Sequence, residues 1–167
     1  MSSIKKEIKK LGYIPVRLKK IFVDESAMYH FLTEVELNGV KGRFIVDSGS
    51  TSTVVDFGRA DKFGLDIPEI QPEIMAMGAS PEELDVRFAG YYPMKVKKGR
   101  KTIFPVILMD LQHIIEAMER RGVEVDGILG ADFMHAEKAV LDYGNQRLYV
   151  KKKKSKKKKS DKKKKTK

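Results

Sequence analysis

Residues 44–55 read Phe44-Ile45-Val46-Asp47-Ser48-Gly49-Ser50-Thr51-Ser52-Thr53-Val54-Val55. An aliphatic run ends in a carboxylate, breaks at glycine, crosses a hydroxyl-rich turn and becomes β-branched again. Short apolar runs rich in branched residues on both sides of a glycine predict two buried strands joined by a tight turn, with Asp47 at a strand end beside dense packing. An ionised carboxylate buried without a partner is costly, so one kept there needs a hydrogen-bond cradle, a shifted pKa, or both. Two readings of Asp47 stand side by side: a cap that accepts the Gly49 or Ser50 N–H, as in an Asx-turn, or a reacting group.

Upstream, apolar residues alternate from Met28 to Leu37 with a slip near Thr33 that suggests a bulge. Asn38-Gly39 then gives the strongest hairpin signal in the chain, because both residues tolerate positive φ. The returning strand, Lys41 to Val46, delivers Asp47 to its end. Before this hairpin, residues 1–12 read as a basic arm, with Ile4, Ile8 and Leu11 at the spacing of a short amphipathic helix and a loose, disordered arm as the alternative, and Tyr13 to Leu18 reads as an edge strand because of Pro15.

Downstream, Phe57 to Leu65 predicts a short helix closed by Gly64. Ile70 to Met77 and Leu84 to Ala89 read as a hairpin with its tip at Gly78-Ala79-Ser80-Pro81. Tyr91 to Val96 and Thr102 to Met109 read as a further strand pair, the second so continuously apolar that it is expected to be central. Asp110 to Arg121 is the clearest helix, with Leu111, Ile114, Ile115 and Met118 on one stripe, Asp110 as N-cap and Gly122 after it. Val125 to Gly130 is a short buried strand, Ala131 to Met134 turns helical, and Ala139–Tyr143 with Arg147–Val150 make a last hairpin.

At 167 residues the chain fits a single domain, here residues 13–150, and a second catalytic domain does not fit. The formal charge of +11 belongs to residues 151–167, which hold 13 lysines and one Asp; the other 150 residues carry 21 basic and 22 acidic groups. Those last residues cannot form a core and are expected to be disordered. The absence of cysteine excludes disulfides, thiolate metal sites and cysteine catalysis. His30, His113 and His135 are scattered without metal-ligand spacing, so no metal is expected. No stretch approaches the roughly 18 apolar residues of a membrane span, and the first residues lack the apolar core of a secretory signal. A soluble cytoplasmic protein without membrane contact is expected.

Two glycine-terminated strands, Phe-Ile-Val-Asp-Ser-Gly at 44–49 and Gly-Ile-Leu-Gly-Ala-Asp-Phe at 127–133, give residues 13–150 a pattern that resembles the retropepsin-like aspartic proteases. Asp-Ser-Gly alone is common; its succession by Val54-Val55 and, some 75 residues on, by Ile128-Leu129-Gly130 is far more specific. The resemblance implies a mainly β fold, a closed retropepsin-like barrel with a flap hairpin and one or two short helices. It implies an aspartic endopeptidase that needs no cofactor and acts on peptide or protein substrates as a homodimer, with Asp47 as the catalytic residue of each copy. Ser48 would hydrogen-bond across the interface, Gly49 would let the backbone approach the two carboxylates, and Ser50 would be the adjacent loop hydroxyl. Met77, Gly78 and Ala79 fall at the flap, and Ile128, Leu129 and Gly130 form the structural strand beside the loop. The flap departs from the more glycine-rich pattern at Ala79-Ser80-Pro81.

Peptide hydrolysis by this route needs two carboxylates sharing a proton, the arrangement for which aspartic proteases are the standard example. A single such loop per chain makes a twofold dimer the natural solution, and the pair would titrate together. Asp126 and Asp132 offer rival pairings with Asp47, but both read better as structural groups, one before a buried strand and one at a helix start; Asp56 and Asp142 read as turn carboxylates. The competing function is a catalytically weak peptide-binding module with the same fold, tethered to polyanions by its lysine tail. Three runs of four lysines in residues 151–167 would bind polyanions without sequence preference, or serve only solubility.

Overall fold

The computed structural model describes residues 2–22, 29–69 and 85–152. In chain order the elements are α1 (Ser2–Lys10), β1 (Tyr13–Arg17), β2 (Lys19–Phe22), β3 (Tyr29–Leu37), β4 (Val40–Val46) and β5 (Val54–Asp56). After them come a 3-10 turn (Phe57–Arg59), α2 (Ala60–Phe63), β6 (Val86–Val96), β7 (Thr102–Met109), α3 (Gln112–Glu119), β8 (Gly127–Leu129), α4 (Ala131–Ala136), β9 (Val140–Asp142) and β10 (Arg147–Lys151). The architecture is mainly β, as expected, but four α-helices occur among the described residues rather than one or two. The first strand and the tip of the expected flap hairpin, including Met77, Gly78 and Ala79, lie outside the described residues, as do residues 153–167.

Asn38 and Gly39 adopt φ of 50° and 86°, the two left-handed positions of a type I′ turn, whose twist matches the flanking strands. They join β3 to β4 in a regular antiparallel ladder from Leu37↔Val40 to Phe31↔Val46. That unbroken ladder removes the bulge expected at Thr33. The slip has another cause: Leu32 packs in the outer cluster with Ile45, whereas Phe31, Val35 and Leu37 belong to the inner one, so the apolar residues change face and not register. β4 occupies one edge of β3, and β2 and β6 share the other. β2 pairs with Tyr29–Leu32 and β6 with Val35–Leu37. Thr33 faces inward where the two neighbours change over, and its buried hydroxyl has no protein partner among the described residues.

The β3–β6 pairing closes the sheet, since β3, β4, β8, β5, β7 and β6 are successive neighbours and β6 returns to β3. The order carries the main departure from the predicted strands. Leu84–Ala89 and Tyr91–Val96 are not two strands of separate hairpins; β6 is continuous from Val86 to Val96 and pairs with β7 throughout, with a bulge between Phe88 and Gly90. Gly90, at φ 122°, marks that bulge and not a turn.

Alternate residues of the barrel strands fill its interior. Phe44, Val46, Val55, Val106, Leu108 and Leu129 form one cluster with Phe31 and Phe133. The outer faces of β4, β5 and β8 are covered as well: Ile45, Val54 and Ile128 pack with Leu111, Ile115 and Met118, the predicted stripe of α3. Burial of these three helix side chains contributes about 1.5–3 kcal/mol each. Two-sided burial explains why the strands flanking Asp47 read as unbroken apolar runs. β7 is central in the sheet but alternates in burial, with Ile103 exposed at 62%, because the helix does not cover that end of it.

Two carboxylates tie the outer layer together. Asp56 caps the 3-10 turn through the Gly58 N–H (2.9 Å) and also accepts the Leu111 N–H (2.9 Å), fixing the approach to α3. Asp126, 2% exposed, accepts the Arg43 N–H (2.8 Å) and the Lys62 ammonium (2.6 Å). It therefore does combine burial with a charged partner, which nothing in its sequence context announced. Asp126→Ala leaves the part-buried Arg43 N–H without its acceptor and releases the half-exposed Lys62 to water. An expected loss of about 1–3 kcal/mol is read from the denaturant midpoint at fixed protein concentration.

The remaining strands make a separate antiparallel sheet in the order β1-β10-β9, which places Pro15 on an edge strand as expected. α1 lies beside its terminal hairpin over a cleft of about 600 Å³ lined by Ile8, Val140, Tyr143 and Tyr149 among others. No helix among the described residues is long and apolar enough to cross a membrane.

Candidate active site

Asp47 follows the last residue of β4, where the chain is held from both sides. Val46 pairs with Phe31 on β3 and with Leu129 on β8, and the Asp47 N–H extends the second ladder by one bond to the Leu129 carbonyl (3.1 Å). β8 is parallel to β4 and antiparallel to β5, so Ile128 and Leu129 lie between the strand that enters the loop and the strand that leaves it. The apolar Ile-Leu-Gly strand thus sits against both ends of the Asp-Ser-Gly loop.

The carboxylate starts a turn. Its Oδ1 accepts the Gly49 N–H at 2.8 Å, which is the capping geometry of an Asx-turn. Capping does not exhaust the group: Oδ2 accepts from no donor among the described residues, and the residue is half-buried. Ser48 and Gly49 at the loop tip are exposed, while Ser50 is half-buried and donates through Oγ to the Ser52 carbonyl (2.8 Å).

The descending half of the loop is clamped to the start of α4. Ala131 N–H donates to the Ser50 carbonyl (2.8 Å) and Asp132 N–H to the Thr51 carbonyl (3.3 Å). Asp132 returns both carboxylate oxygens to Thr53, accepting its N–H at 2.8 Å and its hydroxyl at 2.7 Å, and the Thr53 Oγ1 accepts the Gly130 N–H at 3.0 Å. Thr53 is 1% exposed, so these bonds are made away from water, where leaving any of them unmade is expensive. Gly130 permits the contact, because a Cβ there would overlap the Ser52 carbonyl and lie 2.9 Å from the Thr53 nitrogen.

Sequence reasoning did not assign Thr53, and it gave Asp132 only a helix-start role; Asp132 does accept the Phe133 N–H (2.6 Å), but its main partner is Thr53, 79 residues away. The available signal was positional: a hydroxyl immediately before β5 and a carboxylate two residues after Gly130 flank the two motifs. Asp126 and Asp132, the two rival partners for Asp47, are each engaged by other named donors, and Asp56 caps a turn as expected.

A family model described as "Aspartyl protease" matches residues 33–133, a span that begins in β3 and ends in α4 and so contains the loop and its clamp. Among solved structures, the chain is similar to the EIAV protease complexed with the inhibitor HBY-793, at 17% identity and a TM-score of 0.51, over 71% of this chain and 98% of that one. It is also similar to a retropepsin-like aspartic protease from Rickettsia conorii, at 15% identity and a TM-score of 0.50, over 83% of this chain and 90% of that one. These likenesses establish a retropepsin-like fold. No curated protein matches the chain.

Proposed function

The chain belongs to the aspartyl protease family, and from that premise we propose that it is an endopeptidase whose active site forms when two copies bring their Asp47 side chains together. The observation that carries the proposal is the Asp47 loop itself: a half-buried carboxylate at a strand end, held on both flanks by hydrogen bonds, whose Oδ2 accepts from no donor among the described residues. Rigid support of such an acidic group suits chemistry better than stability, since a reacting group must be held in place before substrate arrives.

One Asp47 per chain is half of what the reaction requires. Two carboxylates a few ångströms apart share one proton because like charges at that distance do not both ionise readily. The ionised one takes a proton from water as it attacks the scissile carbonyl; the protonated one donates to the carbonyl oxygen. An isologous dimer supplies both from the same residue, with the twofold axis passing between the loops. Ser48 and Gly49, exposed at the loop tip, are then the groups that meet their symmetry mates. Ser48 supports the partner loop and Gly49 leaves room for the approach.

The proposal predicts hydrolysis of an unfolded protein substrate with an optimum on the acid side of neutral, falling as pH rises and the shared proton is lost. The decisive experiment is titration with a non-cleavable mimic of the tetrahedral intermediate. Binding at one mimic per two chains, at least about a hundredfold tighter than the matching plain peptide, is the expected result. A groove that binds peptide without catalysing its hydrolysis would hold the two equally well, and that outcome would replace the enzyme by the binding module.

A further inference from the structure

Three segments remote in sequence bring their cations to one end of the fold. The turn between β6 and β7 reads Lys97-Lys98-Gly99-Arg100-Lys101. Gly99 bridges Lys152, and the Arg100 N–H donates to the Lys151 carbonyl at 3.1 Å, so this turn lies against the end of β10. From the other side the Lys152 N–H donates to the Gly12 carbonyl (2.9 Å) and the Lys151 ammonium to the Leu11 carbonyl (3.1 Å), which brings in the C-terminal end of α1. Every lysine of α1 and of the turn is exposed. The carboxylates of these neighbouring segments are already engaged, Glu7 by Lys10 (2.7 Å) and the buried Glu137 by Arg100 (3.1 Å). Residues 153–167 leave from this same point and add eleven lysines against one Asp.

The concentration is not a general basicity of the chain. Outside α1, the turn and residues 151–167, acidic residues outnumber basic ones. Like charges gathered at one end repel one another and raise the local potential, a cost that a polyanionic partner relieves. The patch also limits what that partner is. Durable anchoring to a bilayer needs apolar burial in addition to charge, and among the residues of these segments whose burial is described, Leu11 is the one large apolar side chain exposed. Stacking on unpaired bases needs open aromatic faces, and the nearby Tyr13 ring is covered by the Lys151 ammonium at 3.8 Å. Phosphates of a duplex ask only for cations, and they present one charge per about 1.7 Å of helix axis.

We propose that this end of the molecule is a docking surface for the phosphate backbone of duplex nucleic acid. The exposed lysines of α1 and the β6–β7 turn make the contact. Recognition is independent of base sequence and strongly salt-dependent.

The test uses the full chain and a labelled 24-base-pair duplex of arbitrary sequence, titrated between 50 and 200 mM salt. Replacing Lys6, Lys9, Lys97 and Lys98 by Gln, with residues 153–167 intact, is expected to make the slope of log affinity against log salt shallower by about 3–4 and to weaken binding tenfold or more at 100 mM. Lys19→Gln with Lys41→Gln, on β2 and β4, is the matched control and leaves both unchanged. Equal affinity and slope in the fourfold variant would overturn the proposal by assigning all binding to residues 153–167. So would preferential binding to phosphatidylserine vesicles that the duplex fails to displace. Peptide hydrolysis is followed in the same samples and is expected to be unaltered without duplex, so this surface and the protease activity stand or fall separately.

Discussion

Asp47→Asn is expected to lower peptide hydrolysis by about 10⁴-fold or more while the fold survives. The size follows from symmetry. A positioned general acid or base each contributes about 10²–10⁴ in rate, and in a twofold site one substitution removes both, because base and acid are the same residue in two copies. The fold survives because the carboxamide oxygen of Asn accepts the Gly49 N–H as the Asp47 Oδ1 does at 2.8 Å, and Asn forms the same Asx-turn. An unfolding midpoint close to that of the unmodified chain is therefore the control. Hydrolysis within tenfold of the unmodified rate would remove Asp47 from the mechanism.

The same variant tests the assembly. Mixed with unmodified chain and allowed to exchange, it captures unmodified copies in dimers that hold a single carboxylate. At equal amounts, random pairing leaves each unmodified copy with about half its activity. Activity per unmodified copy that stays constant on mixing would mean that the site is complete within one chain.

The strands around Asp47 were legible because Phe44–Val46, Val54–Val55 and Ile128–Leu129 are buried on both faces of the sheet, which favours short unbroken apolar runs at those positions. Asn38-Gly39 was legible because few residue pairs adopt two consecutive positive φ values. Gly90 misled for a related reason: its φ of 122° serves a bulge within one strand, and glycine punctuates turns and bulges alike. Thr33 looked like a break in alternation because β3 is buried on both faces there, Leu32 under the outer cluster and Phe31 and Val35 in the inner one, and a single strand's pattern does not carry which face is covered. Each of the four helices lies on a segment with a helical signal, Ile4, Ile8 and Leu11 marking the spacing of α1, so the count of one or two was low because it did not carry those local signals through.

Within the site, the position of Asp47 was readable and its support was not. Thr53–Asp132 and Lys62–Asp126 join residues 79 and 64 apart, and no local preference marks a hydroxyl or a lysine as the partner of a particular distant carboxylate. The strong local signals were those of backbone conformation. The clamps are decided by which strands the topology sets side by side, and only then does a polar residue beside a glycine acquire its role.

Gly130→Ala is expected to cost about 3–5 kcal/mol of stability, and the contrast with Gly49→Ala separates the two roles that glycine has in this site. At Gly130 a Cβ would overlap the Ser52 carbonyl oxygen, with the carbonyl carbon at 2.5 Å and the Thr53 nitrogen at 2.9 Å. All three are backbone atoms, so no side chain can turn aside. Relief requires the loop to move away from β8, and that motion breaks the Gly130–Thr53 and Ala131–Ser50 bonds and loosens Thr53 from Asp132. Overpacking of about 1–3 kcal/mol is thereby joined by the loss of buried hydrogen bonds at about 1 kcal/mol each. At Gly49 a Cβ meets only Asp47 Oδ1, at 3.2 Å, on an exposed loop tip, and the expected stability change is below about 1 kcal/mol. If a second loop closes over that tip, Gly49→Ala instead lowers hydrolysis and weakens the dimer. Denaturant midpoints and initial rates for both variants, at one protein concentration, check the pair together. An unchanged midpoint for Gly130→Ala would show that residues 50–53 are not pinned by β8, and a fully active Gly49→Ala would show that the partner loop does not approach at that point.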